Sequence, residues 1–402
     1  MGDLAEALCA DCATTAGIVT AITWALIKQE EPMLPNPKPY FDKVADPRRE
    51  TENKLHALSD ILSIVLCAVI SGCDDWETIA IFGEAKKDWL RKFLPLTNGI
   101  PSHDTFRRVF LLLDAKGFEE AFALWARDAK MGTEEHIALD GKTLRRSHKG
   151  KAGRALHMLH AWSCKHGVLI GQRKVADKTN EITAIPDVLS LFDLKDVTVT
   201  IDAMGCQKDV AEQIVQAGGN YVLALKGNQG DLLDDVQLYL DTEAKDRPRG
   251  DFKTVEKDHG RIETRKIWVT DNIDWLEQKE NWSGLKSLVL VDATREIQGK
   301  KTKERRYYIS SLPANAKHLG ATIRAHWGIE NSLHYVLDMA FNEDQSRART
   351  GDSAENLAII RRFALNLLKQ HKSCKLGVKN KRLRAGYDDN YRAEILNLQG
   401  SA

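Results

Sequence analysis

Two aspartates stand where apolar strands stop. His136-Ile-Ala-Leu139 runs into Asp140, and Val197-Thr-Val-Thr-Ile201 runs into Asp202. The carboxyl edge of an open α/β sheet is where ligands approach. The alternation of Val197, Val199 and Ile201 gives Asp202 no apolar reason to be there. If the two strands are sheet neighbours, their carboxylates converge, and anions that close repel unless one takes a proton or cations lie between them. Carboxylate oxygens are hard donors suited to Mg2+ or Mn2+, ions that also bind phosphate oxygens. The plainer reading of either residue is an Asp that caps the turn after its strand.

A third carboxylate, Glu330, lies in Arg324-Ala-His326-Trp327-Gly-Ile-Glu330-Asn331-Ser-Leu-His334. His326 and His334 stand four residues to either side of it, so a helix would set all three on one face. A glutamate between two histidines and a tryptophan is an unusual solvated face. The plainer reading makes Trp327 and Leu333 core and the polar residues a rim. Asp338, Glu343 and Asp344 are further candidates for a metal role.

The elements around these residues follow from hydrophobic period. Leu55, Leu58, Ile61, Leu62, Val65 and Leu66 recur at helical spacing, and Asp74 with Glu77 fits a capping box opening a second helix. Ser102 after the Gly99-Ile-Pro-Ser turn predicts the N-cap of a third helix, which carries Arg107 and Arg108. A fourth covers 117–130. This is either a helix-turn-helix or a plain bundle with solvated arginines. Beyond residue 131 come a strand into Asp140, a hairpin of 156–163 and 168–175, and a helix from Glu181 with Pro186 in its first turn. The strand into Asp202, a helix at 208–217 and a strand at 221–225 complete a β-β-β-α-β-α-β order. That order implies a three-layer α/β core. Strand-like runs at 262–269, 285–291 and 306–309 mark residues 227–315 as a β-rich insertion. Helical period returns over 314–336 and 353–370. The expected organisation is a Pro-rich extension (1–40), an all-helical unit (41–131), the α/β core with its insertion (132–370) and a basic tail (371–402).

The chain has 402 residues, 43% of them hydrophobic and 29% charged, which excludes a disordered or collagen-like protein. Its net charge of +1 conceals a segregation. Residues 141–157 carry six cations and 356–387 carry nine, with no acid in either, so the remainder sums to −14. Acid-free basic segments fit a polyanion, one of them directly beside Asp140. Their plainer reading is a solvated face. The seven cysteines form no disulfide framework, and Cys9-x-x-Cys12 has no second pair at zinc spacing. Residues 13–27 are apolar but short for a membrane span, so a cytoplasmic, reduced protein is expected.

Taken in order, His56-Ala-Leu-Ser-Asp-Ile-Leu, Asn98-Gly-Ile-Pro-Ser-His-Asp-Thr105, Ile137-Ala-Leu-Asp-Gly-Lys-Thr-Leu-Arg145, Asn180-Glu-Ile-Thr-Ala-Ile-Pro186, Asp202-Ala-Met-Gly-Cys-Gln-Lys208, Leu225-Lys-Gly-Asn-Gln229, Tyr307-Tyr-Ile-Ser-Ser311 and His326-Trp-x-Ile-Glu-Asn331 carry a resemblance. From about Phe41 to Tyr391 the sequence resembles the H-repeat-associated DDE transposases of bacterial insertion sequences, whose catalytic domain is RNase H-like. The resemblance implies that Asp140, Asp202 and Glu330 are the catalytic triad and hold two Mg2+ or Mn2+ ions. It also implies DNA nicking at element ends and then strand transfer, with at least a dimer in the reacting complex, no membrane, and a bacterial cytoplasm at the nucleoid. The wider class has Tyr, Arg and Lys around its glutamate, where this chain has Ile323, His326 and Leu337, and Tyr335 stands in place of an expected tryptophan. Arg324, His326, Asn331 and His334 are then the substitute phosphate contacts. Lys142, Arg145, Arg146 and Lys226 lie near the strand ends, and Arg107 and Arg108 on the third helix, as further DNA contacts. Two rival readings stand: a nuclease of the same fold that does not join strands, and a non-catalytic DNA-binding relic.

Overall fold

The computed structural model describes residues 34–398 except 53, 132–134, 149–154, 176–180 and 259. The Cys9/Cys12 pair, the apolar stretch 13–27, Pro32, and the cations Lys149, Lys151 and Arg154 lie outside the described residues.

Nine strands form one sheet in the order β3-β2-β1-β4-β5-β9-β8-β7-β6. They are β1 His136–Leu144, β2 Leu156–Ser163, β3 Val168–Val175, β4 Thr198–Ile201, β5 Asn220–Leu225, β6 Phe252–Asp258, β7 Arg261–Thr270, β8 Ser287–Ile297 and β9 Lys300–Ser310. The first three make an antiparallel meander, while β1, β4 and β5 run parallel. This is the expected RNase H-like α/β core. The β-rich segment is no separate unit, because β9 pairs antiparallel with β5 from Val222↔Ser310 to Leu225↔Tyr307 and so continues the same sheet.

Twelve helices are labelled here. α1 Leu58–Ile70, α2 Trp76–Ala85, α3 His103–Leu112 and α4 Ala115–Ala126 precede the sheet. Within and after it come α5 Glu181–Leu189, α6 Lys208–Gln216, α7 Gly230–Asp246, α8 Ala316–His326, α9 Tyr335–Phe341, α10 Ser353–Gln370, α11 Val378–Tyr387 and α12 Asp389–Ile395. Side-chain parity shows that both sheet faces are covered. Val222, Val289, Val291 and Tyr308 join Leu319 and Ile323 of α8 in one apolar cluster. Their strand neighbours Tyr221, Leu223, Leu288, Leu290, Tyr307 and Ile309 belong to the main core with Leu232, Val236 and Leu240 of α7.

α1 is buried along its length except at Ser59, and α10 packs directly on it. The N-terminal helices and the sheet therefore share one core. Several local expectations need correction. Helix α7, which buries Leu232, Val236, Leu240 and Ala244, was not foreseen, because its apolar residues spread round the helix among acids. The capping box of α2 is Asp75 with Thr78, whereas Asp74 receives Arg382 instead. Pro186 is the sixth residue of α5, in its second turn. Ser102 does cap α3, accepting the Thr105 N–H. Residues 371–398 are not a free basic tail: they form α11 and α12, in which Lys381, Arg382 and Arg392 are buried.

Candidate active site

The parallel register of β1 and β4 runs from His136↔Thr198 to Leu139↔Ile201, so Asp140 and Asp202 are the next residues on adjacent strands. β4 ends there. β1 does not: it continues to Leu144 against β2, with Asp140 opposite His160, so only its pairing with β4 stops at Leu139. Asp202 realises both readings at once. Its carboxylate accepts the Met204 N–H at 3.1 Å, capping the turn Ala203–Gly205, while it lies within electrostatic reach of Asp140. Asp140 accepts the Gly141 N–H at 2.9 Å.

Glu330 reaches this edge from the far end of the sequence. The helical period over 314–336 is broken at Trp327-Gly328, and Glu330–His334 form a π turn whose Glu330 carbonyl accepts the Tyr335 N–H. Single π turns inside helices recur at functional sites. The break separates the three residues expected on one face. Glu330 and His334 stay together, their Oε2 and Nδ1 atoms 3.3 Å apart, and His334 Nδ1 is 3.6 Å from Asp140 Oδ2. His326 instead turns into the sheet, its Nδ1 2.8 Å from Thr200 Oγ1, which is 2.9 Å from His136 Nε2. Burial depresses the His326 pKa to about 4, leaving it neutral.

The electrostatics describe an anion cluster short of cations. Burial, followed by the charges of Asp202 and Glu330, pushes Asp140 up to about 8. Burial also raises Asp202, and so does the charge of Glu181, against a smaller pull from Lys226. Glu330 is half exposed and held below the usual range by its hydrogen bond from His334. Donor atoms of Asp140, Glu330 and His334 all lie within 4.8 Å of one another. Hard oxygen donors, desolvated and mutually repelling, fit a divalent cation.

Glu181 is a carboxylate the sequence pattern placed only inside a motif. At the start of α5 it pairs with His157 Nε2, while His157 Nδ1 is 2.8 Å from Thr143 Oγ1. Gly141 packs beside them, and a Cβ there would displace the ends of the Glu181 and His157 side chains. No local pattern signals this contact, which joins β1, β2 and α5.

The remaining expected contacts divide into two groups. Lys142 is buried with its Nζ 2.7 and 2.8 Å from the Asp338 carboxylate. His326 and His334 are likewise directed inward. Lys226, Arg108, Arg146 and Asn331 are exposed. Arg107 is exposed but meets Asp104 at 2.9 Å, Arg145 meets Asp344 at 3.3 Å, and Arg324 meets Glu256 at 3.2 Å. A cavity of about 710 Å3 between α8 and strands β6–β9 opens beside Glu330, lined by Trp327, Asn331, Arg261, Arg265, Arg306 and Arg324, each arginine paired with Glu256, Glu263 or Glu304 of the same lining. The Arg306 guanidinium lies over the Trp327 ring at 4.3 Å. Within the basic segment 356–387, Arg361, Arg362, Lys381 and Arg382 are buried structural cations.

Comparison with known proteins locates this geometry. Residues 131–367 match the family described as Transposase DDE domain, and residues 39–126 match the one described as DDE_Tnp_1-associated. An "uncharacterized protein in dhlA 3'region" of Xanthobacter autotrophicus is 63% identical over 285 residues, spanning 70% of this chain and 97% of that protein. "Putative transposase YncI" of Escherichia coli O157:H7 is 44% identical over 89% of this chain and 93% of its own length. The "H repeat-associated putative transposase YhhI" of Escherichia coli (strain K12) is 42% identical over 87% of this chain and 94% of its own length.

Proposed function

This chain belongs to the H-repeat-associated family of DDE transposases, and from that premise we propose that it nicks the ends of an insertion sequence and joins them to target DNA. The observation that carries the reading is the convergence of Asp140, Asp202 and Glu330 at one sheet edge, with Asp140 driven up to about 8 by burial and the neighbouring charges. Asp140, Asp202 and Glu330 are the residues that would hold the divalent cations, Mg2+ or Mn2+. Such ions, when bound, supply acidification of the attacking hydroxyl and neutralisation of the leaving oxygen.

The chain's own part is positioning and charge, since phosphoryl transfer needs little covalent help from protein. Lys226 beside Asp202 is a proposed phosphate contact on one side of the carboxylates, and Arg306 and Arg324 beside Glu330 would serve on the other by releasing Glu304 and Glu256. Arg108 and Arg146 are exposed and proposed to add non-specific contacts elsewhere on the duplex, as is Arg145 on leaving Asp344. Two ends react together, so the proposed working form is a homodimer on DNA, at the bacterial nucleoid. Among the described residues no helix is long and apolar enough to cross a membrane.

The test uses the full chain with labelled end sequences and Mg2+ or Mn2+. Asp202→Asn is expected to abolish strand cleavage while DNA binding survives, and retained cleavage would overturn the assignment. Pre-nicked ends that are bound but never joined to a target would make the protein a nuclease. Binding without cleavage by the unsubstituted chain on every end sequence would make it a DNA-binding relic.

A further inference from the structure

Beneath the carboxylates runs a buried line of nitrogen groups that the proposed chemistry does not use. His334, 5% exposed, places Nδ1 3.3 Å from Glu330 Oε2 and Nε2 3.1 Å from His160 Nδ1. His160 is fully buried on β2, directly across from Asp140, and its Nε2 lies 3.3 Å from Arg362 Nη2. Arg362 is itself fully buried on α10 and forms an ion pair with Glu343, also buried.

Only one end of this line has a fixed direction, and it sets the rest. A guanidinium can donate hydrogen bonds but never accept one. His160 Nε2 must therefore be the acceptor for Arg362. Protonating both His160 nitrogens would leave that contact donor against donor, beside a second buried cation. Burial and the Arg362 charge accordingly hold the imidazole neutral. The single proton of His160 then sits on Nδ1 and is donated to His334 Nε2. A His334 ring whose Nε2 accepts carries its proton on Nδ1, the atom that faces Glu330.

We infer that His334 is a positioning residue, a hydrogen-bond donor whose direction Arg362 imposes through His160 and which holds the Glu330 carboxylate, rather than a metal ligand. A protonated ring nitrogen has no lone pair to give a cation. His334 therefore stays outside the coordination shell even though its Nδ1 lies within 4.8 Å of carboxylate oxygens of Asp140 and Glu330. Glu330 needs such a hold, because its side chain is 57% exposed and otherwise free to rotate. The aligned donors also polarise one another, which strengthens the last bond. Partners that orient ligands in this way typically account for ten- to a hundred-fold in metal affinity. The inference rests on the proposed role of Glu330 as a ligand, but its direction of donation does not.

Nitrogen-15 spectra of the full chain labelled at histidine test the direction without any reaction. In metal-free protein both His160 and His334 are expected in the form protonated at Nδ1, with His334→Asn and His160→Gln identifying their signals. His334 protonated at Nε2 would overturn the relay. So would loss of the His334 Nδ1 proton on adding Mg2+, which would make it a ligand. Mn2+ binding, read from the spin resonance of the free ion, tests the consequence. His334→Asn keeps a side-chain N–H near the Nδ1 position and is expected to hold affinity within about threefold, whereas His334→Ala loses about ten-fold or more. Equal losses in the two variants would overturn the donor role. A chain that shows these forms but cuts no DNA would refute the transposase reading and leave the relay standing.

Discussion

Replacing Asp140 by Asn is expected to make the metal-free protein more stable. Asp140 is pushed from 3.8 to about 8 in the folded chain, with its side chain only 18% exposed. A group whose pKa is raised on folding binds more protons folded than unfolded between those two values. Its stabilising contribution is therefore complete below the unfolded pKa and is lost as pH rises through about 8. At pH 7 the gap above the unfolded value is about 3 units, which at about 1.4 kcal/mol per unit amounts to roughly 4 kcal/mol. Asn removes that penalty but weakens the electrostatic contact with His334, so a net gain of about 2–3 kcal/mol is expected. Urea unfolding with a chelator at pH 4, 7 and 9 reads this directly. The two proteins should nearly coincide at pH 4 and diverge by pH 7, with a further small increase by pH 9. Excess Mn2+ should then stabilise the unsubstituted chain, by about 2.7 kcal/mol at a hundred-fold excess over Kd, and the variant far less. A variant less stable than its parent at pH 7, or a difference independent of pH, would refute the reasoning. The charge that weakens the empty fold is the one proposed to hold the cation, a trade common at active sites.

Lys142→Met strands the Asp338 carboxylate and is expected to cost about 1–3 kcal/mol. Lys142→Met with Asp338→Leu should recover most of it, as read by the urea midpoint at unchanged slope. Arg382 donates to Val69 O and Asp74 and also meets Ala340 O, so Arg382→Met is expected to cost about 3–5 kcal/mol while leaving the salt dependence of DNA binding unchanged. Lys226→Ala should do the reverse. The slope of log K against log[salt] should become shallower by about 0.9, with stability within about 0.5 kcal/mol of the parent.

Local pattern reached most of the elements but, of their pairings, only the β2–β3 hairpin. The strands into Asp140 and Asp202 were legible because alternation of apolar residues is a property of a few consecutive positions. α7 escaped because its apolar residues, among them Leu233, Leu238 and Tyr239 beside the buried Leu232, Val236 and Leu240, spread round the helix among acids and blur its period. The length of β1 escaped because Gly141-Lys142-Thr143 interrupts the apolar run, while pairing with β2 carries the strand on to Leu144. The resemblance named Asp140, Asp202 and Glu330 as partners, but Glu181 had no partner in view until β1, β2 and α5 met at Gly141.

The two acid-free segments mark the boundary between what the sequence and the structure each decide. Their cations are fixed by composition, and a polyanion partner follows if they face solvent. Folding decides which of them do. Glu343 lies against Arg362, Asp74 against Arg382 and Asp338 against Lys142, each acid drawn from outside the segment it neutralises. What remains exposed of the two segments is a smaller set, among them Arg146, Lys375 and Lys379. The sequence determined the types of the groups and which carboxylates were candidates. The tertiary structure alone decided which charges are spent within the fold, because Coulomb energy and desolvation depend on separation in space and not on separation along the chain.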